Sequence, residues 1–245
     1  IETLANTQVS AVRPTRDGIE ISLDGKQSTG VEGKQLIRSD LLIIADGSNS
    51  KTAQKLGIHS QCSSYRQTAI IANIQLEKKH QGVAYERFTD QGPMALLPLS
   101  DYKNQHRSAL VWVQPETTAE QLVVADDDAF LAILQQRFGH RLGHFQQVGK
   151  RVTYPLSLTL ATEQVRRNVV VVGNAAHSLH PVAGQGFNLS LRDVAALATR
   201  LSQARATQKD IGSLEVLEGY YQQQLVDQSN TLILSDSLTK FFTGT

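Results

Sequence analysis

Alternating apolar and polar positions predict that the first half of the chain is rich in β-strands. Residues 9–12 and 19–23 alternate on either side of Arg16-Asp17-Gly18, a sequence typical of a hairpin turn. Gly25 and the stretch 30–33 predict a loop before an apolar strand at 41–45. Further short strands joined by polar segments, as in an antiparallel sheet, are predicted at 67–75, 83–88, 95–99 and 109–113.

The apolar positions then take a helical period. Helices are predicted at 119–124 and 127–138, where acidic residues at 126–128 favour a helix start and Gly139 favours a helix end. A strand is predicted at 148–154, and a helical pattern returns from 214 to about 242. Earlier in the chain, Ser50 is suited to cap a short helix at 51–56.

A run of four valines at 169–172 predicts a fully buried parallel strand. Gly173 follows it directly, at a point where the backbone must turn tightly or approach something closely. Gly184 and Gly186 then precede a helical pattern at 187–201. The first N–H groups of such a helix lack partners and lie at its positive end, so they can receive an anionic oxygen or an electron-rich ring edge. This strand, loop and helix therefore predict a cofactor site.

The loop resembles a fingerprint of the flavin-dependent aromatic hydroxylases, written GDAAH, then Pro, then GxGxN and an Asp. The matching residues are Gly173, Asn174, Ala175, Ala176, His177, Pro181, Gly184, Gly186, Asn188 and Asp193. A second fingerprint of that family, an apolar strand followed by ADGxxS, matches residues 41–50. Glu86-Arg87-Phe88 and the stretch 92–99 are similar to the ERF and GPxALLPL signature of the family's ubiquinone-biosynthesis branch.

The resemblance implies an α/β (α+β) fold of the p-hydroxybenzoate hydroxylase-like type. A partial FAD-binding, Rossmann-like layer at 1–62 and 160–210 would be interrupted by an antiparallel β-sheet substrate domain at 63–159. A C-terminal helical segment would follow at 211–245. The cofactor-binding residues are then expected to be Asp46, Gly47, Gly173, Asn174, Pro181, Gly184, Gln185, Gly186, Phe187 and Asn188.

The resemblance also implies an FAD-dependent monooxygenase that hydroxylates a polyprenylated phenol in ubiquinone biosynthesis. Such an enzyme uses O2, a flavin C4a-hydroperoxide, and NAD(P)H as electron donor. Arg87, Phe88 and residues 94–98 would form either an apolar wall for the substrate or simple core alternation. No catalytic side chain is assigned. No metal is expected, since His177 and His180 have no third ligand at suitable spacing. Asp193 would either support the loop or favour the helix N-terminus electrostatically.

Two residues and one motif depart from the family pattern. Asn174 stands where an Asp is usual, and Ala53 stands where an Arg is usual. The strand and GxGxxG turn that grip the FAD pyrophosphate do not occur in this sequence. We therefore expect an internal or C-terminal fragment that is inactive by itself. Two alternatives are a non-enzymatic binding or assembly module with a decayed flavin site and a nicotinamide-dependent dehydrogenase, which would need a GxGxxG motif.

The amino-acid composition indicates which partners and which location to expect for the protein. Lys and Arg number 24 against 23 Asp and Glu, without a basic run, so nucleic acid is not an expected partner. Cys62 is the one cysteine and is predicted to be a packing residue. No apolar stretch reaches the roughly 20 residues of a membrane span. The expected location is the cytoplasm, either free or in peripheral contact with the inner membrane, with other ubiquinone-biosynthesis proteins as further partners.

Overall fold

The computed structural model describes residues 1–26, 32–89, 92–181 and 184–243. The chain divides into two compact units. Unit 1 consists of Ile1–Ser63 and Leu158–Leu234, and unit 2 consists of Ser64–Ser157 and the chain from Ser235 onward. The combination of strands and helices confirms the predicted α/β (α+β) class.

Unit 1 begins with a three-stranded antiparallel sheet made of β1 (Thr7–Thr15), β2 (Gly18–Lys26) and β3 (Glu32–Ser39), in that order. The predicted hairpin between β1 and β2 is confirmed. The predicted loop is wrong at Gly25 and Gly33, which face each other in the β2–β3 register, while residues 27–31 lie outside the described residues. Pairing along β2 stabilises these glycine-containing segments, and local propensity does not reveal such pairing.

A second small sheet of unit 1 carries the glycine-rich loops. Its strands lie in the order β11 (Val165–Arg166), β12 (Val169–Val171) and β4 (Leu42–Ile44), and β12 is parallel to β4. All three valines of β12 are 0% exposed, which confirms the predicted buried parallel strand. Because parallel strands end at the same edge of a sheet, the chain leaves β4 and β12 on the same side.

Helices cover this small sheet. They are α1 (Lys51–Lys55), α4 (Gln185–Ala206) and α5 (Leu214–Thr243). Alternate valines of β12 and its neighbours point to opposite faces, so Val170 packs with Leu197 of α4 and Tyr220 of α5, while Val169 and Val171 pack with residues of α1, β2 and β4. The part of α5 up to Leu234 groups with unit 1.

Unit 2 contains an antiparallel sheet with helices against one face. The sheet strands lie in the order β5 (Ser60–Leu76), β8 (Gln105–Pro115), β7 (Gly92–Tyr102) and β6 (Tyr85–Thr89), and β9 (Phe145–Val148) also pairs with β5. The helices are α2 (Glu116–Val124) and α3 (Asp127–Phe138). The strand predicted at 148–154 is instead divided between β9 and β10 (Val152–Ala161).

The two faces of β7 have different environments. Met94 and Leu96 are fully buried and pack with Trp112 in the core of unit 2, whereas Leu97 points to the opposite face and is 42% exposed. Arg87 of β6 donates hydrogen bonds to the carbonyls of Phe138 and Arg137, at the C-terminal end of α3. For Met94, Leu96 and Arg87 the structure therefore favours packing within unit 2 over a substrate wall.

One packing prediction is wrong. Cys62 lies near the start of β5 with its residue exposed, although the Thr159 hydroxyl is 3.8 Å from its Sγ. A lone cysteine is often buried, but Cys62 precedes the part of β5 that pairs with β8, which begins at Gln67, and the buried residues of β5 lie in that later part. None of the helices in the described ranges has the length and hydropathy to span a membrane.

Candidate functional site

A cavity of about 590 Å³ lies in unit 1, beyond the carboxyl ends of β4 and β12. Its volume is within the range of about 300–1,000 Å³ that is usual for small-molecule sites. The lining residues come from the loop after β4, the loop after β12 and the start of α4: Ala45, Gly47, Val172, Gly173, Asn174, Ser178, Leu179, His180, Pro181, Gly184, Gly186, Phe187, Ser190 and Val194.

Local structure holds the second loop in place. Gly173 has a φ of +62° and begins a single 3₁₀ turn, Gly173–Ala175. The chain then forms β13 (His177–Ser178), in which His177 pairs with Leu160 of β10. On the first loop, Gly47 has a φ of +86°, a conformation that strongly favours glycine.

The cavity brings together seven of the ten predicted cofactor-binding residues. They are Gly47, Gly173, Asn174, Pro181, Gly184, Gly186 and Phe187. Among the described lining residues, Asp46, Gln185 and Asn188 do not occur. The loops after β4 and β12, more than a hundred residues apart in sequence, thus face one cavity.

Asp46 is directed toward α1. Its Oδ2 accepts a hydrogen bond from the backbone N–H of Thr52 at 3.3 Å. Partial burial raises the pKa of Asp46, but hydrogen bonds from Ser50 and Thr52 outweigh burial and leave the pKa below its usual value. Asp46 is therefore a carboxylate at neutral pH, and it stabilises the start of α1 beside the cavity.

The start of α4 forms one wall of the cavity. Its N-cap is Gly184, in a left-handed conformation with φ +59° and ψ 25°, and as a glycine it has no side chain to cap the first turn. The side chains of Asn188 and Ser190 instead donate to carbonyls of the same helix, those of Gly184 and Gly186. The positive end of a 22-residue helix is thus left available to a ligand.

Two buried histidines flank this wall. His180 lines the cavity and is 1% exposed, and burial lowers its pKa to about 4, so the imidazole is neutral at neutral pH.

His177 Nε2 lies 2.5 Å from Asp193 Oδ2, and both side chains are almost completely buried. Asp193 is the ninth residue of α4, beyond the first turn. Support of the loop therefore describes its role better than electrostatic stabilisation of the helix start.

Gln228 and Gln164 also belong to this buried polar group. Gln228 Nε2 lies 3.2 Å from both carboxylate oxygens of Asp193 and is paired with the Gln164 amide. The sequence does not predict either residue as part of the site. Their contacts join positions 35 and 64 residues apart, and a glutamine in a helical pattern carries no local signal of such a partner.

The space beside the glycines of the cavity indicates whether a cofactor would fit there. A Cβ added at Gly47 or Gly184 would meet nothing within 4 Å, and one at Gly186 would meet only Leu179 Cβ, at 3.9 Å. Gly186 is helical, so neither its backbone nor its neighbours among the described residues require glycine. A planar ligand lying against the helix start would require it. The residues therefore fit a cofactor with an electron-rich or anionic edge at this wall.

Comparison with known proteins identifies the family. The model of a family described as FAD binding domain matches residues 1–223. The chain belongs to this family. It is 36% identical over 241 residues to ubiquinone hydroxylase UbiL of Rhodospirillum rubrum, covering 98% of this chain and 53% of that protein. It is 32% identical over 221 residues to 3-demethoxyubiquinol 3-hydroxylase of Escherichia coli, covering 90% of this chain and 54% of that protein.

The chain therefore spans about half the length of the curated relatives it matches. Among solved structures, it is similar to PqsL of Pseudomonas aeruginosa, a probable FAD-dependent monooxygenase, with a TM-score of 0.72 and 21% identity. That match covers 96% of this chain and 64% of PqsL. These findings confirm the ubiquinone-biosynthesis branch of the flavin hydroxylases, the p-hydroxybenzoate hydroxylase-like fold, and FAD as the cofactor. They favour flavin over the nicotinamide-dehydrogenase alternative.

Proposed function

We propose that this chain is part of an FAD-dependent monooxygenase that hydroxylates the ring of a polyprenylated phenol in ubiquinone biosynthesis. The observation that carries the proposal is the single cavity formed by the two fingerprint loops at the carboxyl ends of β4 and β12. The names of the relatives, a ubiquinone hydroxylase and a demethoxyubiquinol hydroxylase, support the substrate class.

FAD would be held by the residues that line this cavity. The N–H groups at the start of α4, around Gly186 and Phe187, would face the electron-rich edge of the ring, each contributing about 0.3–1 kcal/mol. The Asn174 carbonyl oxygen would accept a hydrogen bond from the ribityl chain. When bound, the flavin would activate O2 so that one of its oxygen atoms is transferred to the phenol while the other leaves as water.

The charges of the cavity residues support a role for the start of α4 in stabilising negative charge on the cofactor. Since His180 is neutral at neutral pH, it adds no positive charge to the wall. The stabilisation of negative charge would then come from the dipole and the free N–H groups of α4. The buried apolar strand ends behind the loops would keep water away from the ring.

The remaining partners follow from the proposed reaction. NAD(P)H would reduce the flavin, O2 would be the second substrate, and the apolar substrate would bring the protein into peripheral contact with the inner membrane from the cytoplasm. Other ubiquinone-biosynthesis proteins would exchange intermediates with it. Within this branch the chain resembles 2-octaprenyl-6-methoxyphenol hydroxylase, so that phenol is the first substrate to assay.

The experiment is to purify the longer polypeptide that includes this chain and to supply FAD, NAD(P)H and the octaprenyl methoxyphenol. We expect a yellow protein that consumes NAD(P)H and O2 and incorporates one atom of ¹⁸O from ¹⁸O2 into the product. Gly186→Val in the same polypeptide is the control for background oxidation. Its valine side chain would occupy the cavity wall and prevent the flavin from binding there. A wild-type preparation that stays colourless and inert with added FAD would refute the enzyme and favour a binding or assembly module.

A further inference from the structure

We propose that Gln228 of α5 is a positioning residue for the cofactor loop, acting through Asp193 and His177. The anchoring of the loop follows from the structure of this chain alone. Its consequence for FAD binding rests on the proposed function. No sequence fingerprint includes Gln228, which lies in the C-terminal helix, far along the chain from the loop it would hold.

The Asp193 carboxylate is completely buried, with 0% of its side chain exposed. A buried carboxylate is costly unless donors satisfy its oxygens. In the described part of the chain, these donors are His177 Nε2, at 2.5 Å from Oδ2, and Gln228 Nε2, at 3.2 Å from Oδ1 and Oδ2. Gln228 and His177 therefore both donate hydrogen bonds that stabilise this carboxylate.

Gln164 fixes the orientation of the Gln228 amide. Gln164 Nε2 donates to Gln228 Oε1 at 3.0 Å, and Gln228 Nε2 lies 3.2 Å from Gln164 Oε1. With its carbonyl oxygen engaged by Gln164, Gln228 must turn its NH2 group toward Asp193. The reverse orientation would place two oxygens against each other. The pair of glutamines thus presents a donor in a fixed direction.

His177 connects this buried polar group to the cavity. His177 lies in β13, between Asn174 and the segment Ser178–Pro181, and residues on both sides of it line the cavity. His177 Nδ1 is buried and has no hydrogen-bond partner in the described part of the chain. The side-chain hydrogen bond of His177 is thus its contact with Asp193. Weakening the hold on Asp193 would free the middle of the loop.

Tyr220 shows that α5 faces Asp193 at a second position. Its hydroxyl is buried without a hydrogen-bond partner in the described residues, and burial together with the Asp193 charge raises the pKa of Tyr220. Tyr220 and Gln228 are eight residues apart, about two helical turns, so they lie on the same face of α5. This face of α5 places the Gln228 amide against the Asp193 carboxylate of α4, beside the apolar cluster that contains Tyr220 and Leu197.

The test compares Gln228→Met with Gln223→Met, an exposed glutamine of the same helix. Hydrogen exchange of residues 173–181 in this chain, without FAD, should be about tenfold faster in Gln228→Met and unchanged in Gln223→Met. In the longer polypeptide, the Kd for FAD should rise about tenfold in Gln228→Met only. A role limited to general stability would instead raise exchange equally throughout β12, α4 and α5.

Three further substitutions test the same hydrogen bonds of Gln228 and Asp193 in other ways. Gln228→Glu, which opposes two carboxylates, should loosen the loop more than Gln228→Met, and adding Asp193→Asn should partly reverse that effect. Should Gln228→Met not fold, Gln164→Met serves, because it removes only the orienting bond and should give a smaller, loop-specific increase.

The results separate the two proposals. Loop exchange that is the same in the Gln228 variants as in Gln223→Met would overturn the anchoring role. A longer polypeptide that binds no FAD would refute the proposed function. The hydrogen-exchange comparison would then still test whether Gln228 holds the loop.

Discussion

At the scale of single residues, two glycines of the cavity are explained by different causes. Gly173 has a left-handed φ of +62°, so the backbone itself favours glycine. Gly186 is helical and its neighbours leave room for a Cβ, so the protein fold does not explain it. A glycine near the start of a helix that the fold does not require points to a ligand that approaches closely.

Gly186→Ala should therefore separate stability from binding. The free energy of unfolding of this chain should stay unchanged or rise by up to about 1 kcal/mol, because alanine has the higher helix propensity. FAD binding by the longer polypeptide should weaken about tenfold or more, roughly 1.4 kcal/mol. Urea unfolding and flavin titration measure the two effects. Gly173→Ala is the contrast, since its left-handed backbone should cost about 1–2 kcal/mol. A Gly186→Ala protein that is destabilised but binds FAD normally would reverse the interpretation.

His180 should make the stability of unit 1 depend on pH. Burial lowers its pKa from 6.5 to about 4, so the unfolded chain binds a proton that the folded chain does not bind between these values. The contribution is fully present above pH 6.5 and is lost as the pH falls toward 4, amounting to about 2 kcal/mol between pH 7 and pH 5. Urea unfolding at both pH values should show a smaller difference for His180→Gln than for the wild type. The exposed His59→Gln serves as control; an equal difference in all three proteins would contradict this origin.

At the scale of elements, α1 shows how a very short helix is maintained beside the cavity. A helix of five residues is not stable in isolation. It is held by the Ser50 hydroxyl, which accepts from the Ala53 N–H at 2.9 Å, by the Asp46 carboxylate on the Thr52 N–H, and by burial of Thr52 and Ala53. The cap and the carboxylate together shape the loop that carries Gly47 to the cavity.

Ser50→Ala should remove the cap of α1 and lower the free energy of unfolding by about 1 kcal/mol. The same change takes away a hydrogen bond that lowers the pKa of Asp46, so that pKa should rise. Denaturant unfolding measures the first effect, and a ¹³C NMR titration of the Asp46 carboxyl measures the second. Ser48→Ala is the matched control, because Ser48 is exposed. Equal behaviour of the two variants would show that the cap contributes nothing measurable.

At the scale of the whole molecule, the chain contains the cavity walls but spans about half the length of its curated relatives. In the described residues the small sheet of unit 1 has three strands, β11, β12 and β4, of which β12 and β4 are parallel, and the sequence contains no GxGxxG turn. That turn grips the pyrophosphate of a dinucleotide at a helix N-terminus. We expect the lining residues described above to contact the ring and ribityl portions of FAD.

This chain alone should accordingly bind FAD at least about a hundredfold more weakly than the longer polypeptide, a difference on the order of 3 kcal/mol. Quenching of flavin fluorescence during titration of each protein measures both dissociation constants. Riboflavin, which lacks the pyrophosphate, is the control ligand and should bind both proteins with similar affinity. Tight, stoichiometric binding of FAD by the isolated chain would contradict this prediction.

The sequence by itself determined the features that depend on neighbouring residues. The hairpin at Arg16-Asp17-Gly18, the buried strand Val169–Val171 and the caps of α3 at Asp126 and Gly139 all follow from turn chemistry, hydrophobic period and capping. The fingerprints belong to the same class, since each motif lies within about twenty consecutive residues. Such signals can be recognised without knowing what packs against them.

Only the tertiary structure decided which of these residues meet. It paired β3 with β2 through two glycines, turned Asp46 toward α1, and set Gly47 and Gly186 on one cavity. It also joined Gln228 to Asp193 across 35 residues. These outcomes depend on strand pairing and helix packing between distant segments, whose free energies exist only once the chain has folded and do not appear in any local pattern.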